Sequence, residues 1–260
     1  MEIASSQLYY LKSLLLDVFL WTSDRMSSLD ETTLPKDFAG TVRLFPLPNL
    51  VLFPHVVQPL HIFEPRYREM LEDALASDGL IAMVLLEPGW ERDYEGRPAI
   101  APVACLGKVI SHERLPGGKF NLLLRGVCRA AIRREHPAER AFRQADVDLL
   151  EDFYPASSAA QRPLVQRQLV ELARELLPDK AAGRQQLDDL LASQVSLGML
   201  TDIFAFTLGF PLSTKQRLLA EWNVDRRAKL LADQLNKLAQ RVPPLDSDAE
   251  PTYPPRFSLN

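Results

Sequence analysis

From residue 41 to about 150 the apolar positions of this chain follow a strand-like period, and from about residue 159 they follow a helical one. Thr41–Leu47 alternates apolar and polar positions. Val51–Phe53 and Gln58–Phe63 are short apolar runs bounded by proline, the pattern of edge strands or barrel corners. Glu64 then stands where a helix cap would stand, and Pro65 takes the first helical position, where its missing N–H costs nothing. Tyr67, Met70, Leu71, Ala74 and Leu75 recur at helical spacing, so a helix is expected over 65–78, stopped by Gly79. Leu80–Leu86 is continuously apolar, as a buried strand is. A polar loop follows over 87–98. Ala104–Arg114 and Lys119–Arg133 flank Leu115, Pro116, Gly117 and Gly118, which predicts a hairpin, and Phe142–Leu150 alternates again to close the sheet. Many short strands with one inserted helix predict a small mixed barrel and not a parallel α/β sheet.

Pro163 opens a helix carrying Leu164, Leu169, Leu172 and Leu176, ended by Pro178. Leu187, Leu190 and Leu191 lie on a second helix, and Leu197–Gly209 is a third. Ser213 is expected to cap a fourth through Trp222, and Asn223 a last one running to about Arg241. The fold class is therefore α+β: a barrel over 41–153 followed by an α-helical bundle over 159–241. The Pro-rich polar tail, 242–260, is expected to be disordered. Within the extension 1–40, Leu8–Trp21 is apolar but interrupted by Lys12 and Asp17, and is too short for the ~20 residues that span a bilayer. Either Met26 is the natural start, or residues 1–25 form an accessory amphipathic helix.

Charge and cysteine content narrow the function classes. With 30 basic and 34 acidic residues the net charge is −4, which argues against wholesale nucleic-acid binding but not against a local basic patch. Cys105 and Cys128 sit in apolar strand-like runs without metal-type spacing, so buried free thiols in a reducing, cytoplasmic compartment are expected. Nucleotide hydrolysis needs a Gly-rich phosphate loop. The pairs Gly107-Lys108 and Gly118-Lys119 lack its upstream glycine and are followed by Val109 and Phe120. No serine is flanked as a nucleophile elbow would be. The histidines at 55, 61, 112 and 136 are scattered, with no carboxylate cluster, so no metal or other cofactor is expected. Glu64, Arg66, Arg68, Glu69, Glu72 and Asp73 form a charge cluster best read as a solvated helix face, with Arg68 and Glu72 at pairing distance.

Three blocks of residues carry a family resemblance. They are the opening Pro46-Leu-Pro-Asn-Leu-Val-Leu-Phe-Pro54 with Pro59–Met70, the hairpin Leu106–Ile110, Leu115–Asn121 and Leu124–Arg129, and the helical stretches Leu200–Ile203 and Leu208–Leu219. Together they resemble the N-terminal, substrate-binding domain of Lon proteases over roughly 41–240. The resemblance implies a PUA-like β-barrel followed by α-helices. It further suggests a stand-alone bacterial form without ATPase or peptidase, hence a binding protein and not an enzyme. The expected partner is an unfolded or extended polypeptide, or a protease or chaperone, in protein quality control or regulated proteolysis.

Two sets of candidate contact residues follow. Leu50, Phe53 and Pro54, with Tyr67 of the adjoining helix, could anchor a peptide, although core packing competes for them. Strand alternation would place Arg125, Arg129 and Arg133 on one face, a possible polar or nucleic-acid contact; PUA-like barrels elsewhere bind RNA, which makes RNA binding the rival function.

Overall fold

The computed structural model describes Leu34, residues 38–176 and residues 195–240. The helix expected around Leu187–Leu191, most of the extension and the tail lie outside these residues. The first half contains β1 (Thr41–Leu47), β2 (Val57–Ile62), α1 (Pro65–Leu75), β3 (Leu80–Leu85), β4 (Val103–Arg114), β5 (Phe120–Glu135) and β6 (Arg143–Leu150). The strands are ordered β2-β5-β4-β3-β1-β6, and β6 pairs back onto β5. Five strands thus close into a barrel, with β2 appended to the first half of β5. The β1–β3 pair is parallel and the other pairs are antiparallel, so the barrel is mixed.

The barrel interior is filled from all five strands by Val42, Leu44, Leu80, Ala82, Val84, Ala104, Leu106, Ala130, Ala145 and Val147. Alanine recurs there because a barrel of so few strands leaves room only for small side chains. Leu34 and Phe38 pack against this cluster.

The helices are α2 (Arg162–Leu176), α3 (Leu197–Thr207), α4 (Leu212–Ala220) and α5 (Val224–Ala239). A second core lies outside the barrel and joins it to them; Phe53, Met70, Leu71, Leu124, Leu200, Phe204 and Leu231 all belong to it. The apolar stretch Val51–Phe53, expected as an edge strand or a barrel corner, is a buried irregular segment and not a strand. Helix α1 ends at Leu75, short of the expected 78. Gly79, at φ 64°, donates its N–H to the Ala74 carbonyl at 2.8 Å and closes the helix.

The caps show which chemistry prevailed. Asn223 caps α5 as expected, its side chain accepting from the N–H groups of Asp225 and Arg226 at 3.1 Å. Glu64 holds the cap position of α1 without capping it. Its carboxylate accepts instead from Tyr94 Oη at 2.7 Å and Arg66 Nη2 at 2.9 Å, because charged and phenolic donors stand closer than the helix amides. Ser213 is not a cap: Pro211 occupies that position and Ser213 lies in the first turn of α4. Arg68 does not pair with Glu72; it donates to the Gly117 carbonyl, and Glu72 meets Arg114.

Strand β5 changes phase partway along. Gly107 lies opposite Gly126, whereas Leu106 lies opposite Cys128, so Val127 is an extra residue, a β-bulge. Before it, Phe120, Leu122 and Leu124 face the outer core. After it, Ala130 faces the barrel interior and Arg129 takes the outward side. Gly126 is required beside the bulge, since a Cβ there would come within 2.0 Å of the Phe53 carbonyl oxygen.

Beyond the bulge, Arg129 enters the seam between barrel and bundle, 2% exposed. Its guanidinium donates to both carboxylate oxygens of Asp202 on α3, to Asp152 Oδ1 at 3.1 Å and to the Leu219 carbonyl at 2.8 Å. Arg227 of α5, fully buried, reaches Asp152 at 2.7 and 2.9 Å and Thr201 Oγ1 at 2.9 Å. Two arginines and two aspartates make the cluster neutral, and the carbonyls of Leu219, Glu221 and Gly198 accept further guanidinium N–H groups. Such a network is tolerated in a low-dielectric seam because each charge has an opposite partner and most donors meet an acceptor.

Two stability predictions follow from the seam. Gly126→Ala displaces backbone and loses about 1–3 kcal/mol or more in urea unfolding. Arg129→Leu leaves the buried carboxylates undercompensated and loses about 3–5 kcal/mol, whereas Arg133→Ala, which breaks only an exposed pair with Asp148, stays within about 0.5 kcal/mol of wild type. Equal effects at the two arginines would contradict the placement.

Candidate functional site

Strand β2 pairs with β5 on one side, and among the described residues no backbone group pairs with its other edge. The phase of that edge is fixed twice over. Gly126 donates its N–H to the Val56 carbonyl at 2.8 Å, which within β2 sets even-numbered residues toward β5 and turns the N–H and C=O of odd-numbered ones outward; ahead of the strand His55, at φ 68°, breaks the phase and donates its own N–H to the Gly126 carbonyl at 2.9 Å. Pro59 has no N–H and fits a strand where that position faces away from the ladder. Both observations place the polar backbone groups of Pro59 and His61 on the open edge. The Gln58 side chain confirms it: its Nε2 folds over to donate to the Pro59 carbonyl at 2.7 Å.

The side chains of Pro59, His61 and Phe63 form a row on one face. Phe63 is 57% exposed and stacks on His61, with ring centroids 6.0 Å apart. The imidazole is held by Nδ1 against Asn121 Oδ1 at 2.8 Å, across the β2–β5 pair. Beside the row an open groove of about 450 Å³ runs over the hairpin end, walled by Pro59, His61, Ser111, Glu113, Asn121 and Leu123. An exposed aromatic, an unpaired strand edge and a shallow groove can hold an extended chain; Ser111, His61 and Glu113 line the groove, but among the described residues no hydrogen bond joins them into a nucleophile–base pair, and His61 Nδ1 is engaged by Asn121.

The residues nominated from sequence are placed differently. Phe53 and Pro54 are buried, Phe53 completely, beneath the outer core, and Leu50 packs half-buried against it. Tyr67 is 6% exposed, and its hydroxyl donates to the Pro46 carbonyl at 3.4 Å. Burial pushes that hydroxyl up to about 12. These residues therefore belong to the core and are not surface anchors: the loop needs its apolar side chains to cover α1 and the outside of the barrel.

The arginine face also dissolves. The bulge at Val127 puts Arg125 and Arg129 on opposite faces, and a second register shift between Ile132 and Arg134 separates Arg133. Arg129 is buried in the seam, Arg125 is half-buried and Arg133 is exposed against Asp148. No continuous basic surface results. Burial pushes the Cys105 thiol well up and that of Cys128 up to about 11, which lowers the thiolate fraction of both.

Phe63 is not among the residues nominated from sequence, where it reads as one apolar position of the run Gln58–Phe63; the signal for its exposure is the alternation of Pro59, His61 and Phe63 with the buried Ile62. A second exposed aromatic pair, Phe153 and Trp222, stands over the seam with centroids 5.3 Å apart. It is pinned by backbone bonds from Phe153 to Trp222 and from Val224 to Phe153.

The chain is similar to known proteins over most of its length. The Lon protease of Desulfosudis oleivorans is 23% identical over 200 residues, covering 75% of this chain and 24% of that protease. The Lon protease of Azospirillum brasilense is 29% identical over 188 residues, covering 70% of this chain and 22% of the other. The chain thus spans about a quarter of the length of these relatives. Among solved structures, the N-terminal domain of the Mycobacterium avium complex Lon protease superposes with a TM-score of 0.59 at 17% identity, covering 75% of this chain and 98% of that one. The Lon N-terminal domain protein from Xanthomonas campestris gives 0.50 at 20% identity, over 78% and 99%. These structures share the α+β fold of barrel and helices. The model of the ATP-dependent protease La (LON) substrate-binding domain matches residues 41–237, and the chain belongs to that family.

Proposed function

We propose that this chain binds extended or unfolded polypeptide, as the recognition element of a proteolytic or quality-control system, through the β2 edge and the Pro59–His61–Phe63 row. Membership of a substrate-binding family supports a role in proteolysis in general. The observation that carries the more specific reading is Phe63, a large aromatic held 57% exposed on an unpaired strand edge. Burying such a ring against a ligand contributes about 2 kcal/mol, and a neighbouring stacked imidazole keeps it from collapsing onto its own surface. The action is non-catalytic in this reading, because Ser111, His61 and Glu113 of the groove are not hydrogen-bonded into a relay that would activate the hydroxyl.

The test is binding of reduced, carboxymethylated α-lactalbumin, a permanently unfolded chain, followed by fluorescence anisotropy. Wild type is expected to bind it in preference to the native, disulfide-bonded form. Phe63→Ser weakens binding about tenfold while leaving the circular dichroism and urea midpoint unchanged, since its ring is largely in solvent. Absence of binding by the folded wild-type chain would contradict the reading.

A further inference from the structure

We propose that the outer edge of β2 takes up an extended segment of another polypeptide as an added β-strand, with Gln58 standing in for that segment's backbone N–H until it arrives. The proposal rests on the polypeptide-binding reading above and specifies how the same site recognises its ligand.

Three backbone groups are on offer at the accessible part of the edge: the C=O of Pro59 and the N–H and C=O of His61. Val57 also turns outward by phase, but it is 6% exposed and closed off. The open length is three residues, about 10 Å. An added strand brings two N–H groups, two residues apart, to the carbonyls of Pro59 and His61, and one C=O to the His61 N–H. Pro59 gives nothing back. The edge therefore reads donors on the ligand more than acceptors, and a proline or an N-alkylated residue at either of those two positions cannot pair. Side chains on the near face of the added strand lie along Pro59, His61 and Phe63, a row without a carboxylate, an ammonium or a guanidinium group. The matching ligand is thus an extended segment with apolar or aromatic side chains at alternate positions.

Gln58 supplies the second, independent observation. Its amide nitrogen already donates to the Pro59 carbonyl at 2.7 Å, occupying the position an incoming peptide N–H would take. An unpaired edge invites indiscriminate pairing, and a side-chain donor that must be displaced raises the threshold for it.

A second copy of the chain is a poorer occupant. In a two-fold β2–β2 pair Pro59 faces the partner's His61, and the missing proline N–H leaves only two hydrogen bonds across the pair. A foreign segment makes three.

The experiment uses the full chain and capped ten-residue peptides tiled along β-casein, with affinity read by anisotropy. The best-binding tile is resynthesised with single backbone N-methyl groups at each position in turn. Strand addition predicts that methylation at two positions, two residues apart, weakens binding about tenfold each, while the residue between them tolerates it within about twofold. Gln58→Ala is expected to bind the unmethylated peptide a few-fold more tightly. A flat or uniformly graded methylation profile would overturn strand addition while leaving polypeptide binding standing. Unchanged or weaker binding by Gln58→Ala would overturn its placeholder role. If no tile and no carboxymethylated α-lactalbumin binds, the underlying reading falls as well. A chain that light scattering finds dimeric, with peptide affinity falling as its own concentration rises, would give the edge to a second copy and overturn the proposal.

Discussion

Strand β5 is sixteen residues long and presents different faces in its two halves. Most of the molecule's organisation follows from that change. The first half pairs with β2 and β4 and lays Phe120, Leu122 and Leu124 against α1 and the outer core. The second half pairs with β4 and β6, closes the barrel with Ala130, and sends Arg129 into the seam. One extra residue, Val127, makes the switch, and Gly126 beside it allows the Phe53 backbone to pass closely enough to cover it. Without the bulge, Arg129 would point into an alanine-lined barrel where no acceptor could meet it.

The seam and the edge divide the work. At the seam, Arg129 and Arg227 lock β5, α3 and α5 together through Asp152 and Asp202, so barrel and helices meet through charge as well as apolar packing. Buried charge is a poor source of net stability but strongly penalises misalignment, because any shift strands an unpaired group. At the edge, by contrast, β2 is joined to the barrel along one side only. A rigid scaffold carrying an incompletely paired strand is the arrangement in which backbone recognition works with little loss of ligand-independent order.

Much of the fold was legible in the sequence. The two periods separated barrel from helices, Gly117 and Gly118 marked the β4–β5 turn where both take positive φ, and Asn223 marked the start of α5. What was not legible depends on long-range partners. Val51–Phe53 has the apolar content of a strand, but it packs as buried irregular chain with the Phe53 carbonyl lying against Gly126. Glu64 has a cap's position, but Tyr94, thirty residues on, claims its carboxylate. The arginine row from 125 to 133 obeys strand alternation on paper, and two β-bulges break the count; the isolated Gly126 is a local signal of the first, and nothing local at Arg133 announces the second. The nominated peptide contacts are drawn inward for a related reason. Leu50, Phe53 and Pro54 are apolar residues near the barrel entrance, and apolar residues with a core in reach pack into it. Phe63, just past β2 and before α1, is left exposed.

The most direct test of this account is amide hydrogen exchange along β2, resolved residue by residue by NMR. The phase set by Val56 and Pro59 requires the amides of Gln58 and Leu60 to be bonded to β5 and that of His61 to face solvent. Protection factors above about 1,000 at Gln58 and Leu60 and below about 10 at His61 are the expected result. A His61 amide protected as strongly as its neighbours would mean that the edge is already paired, and the open strand on which the account depends would not exist.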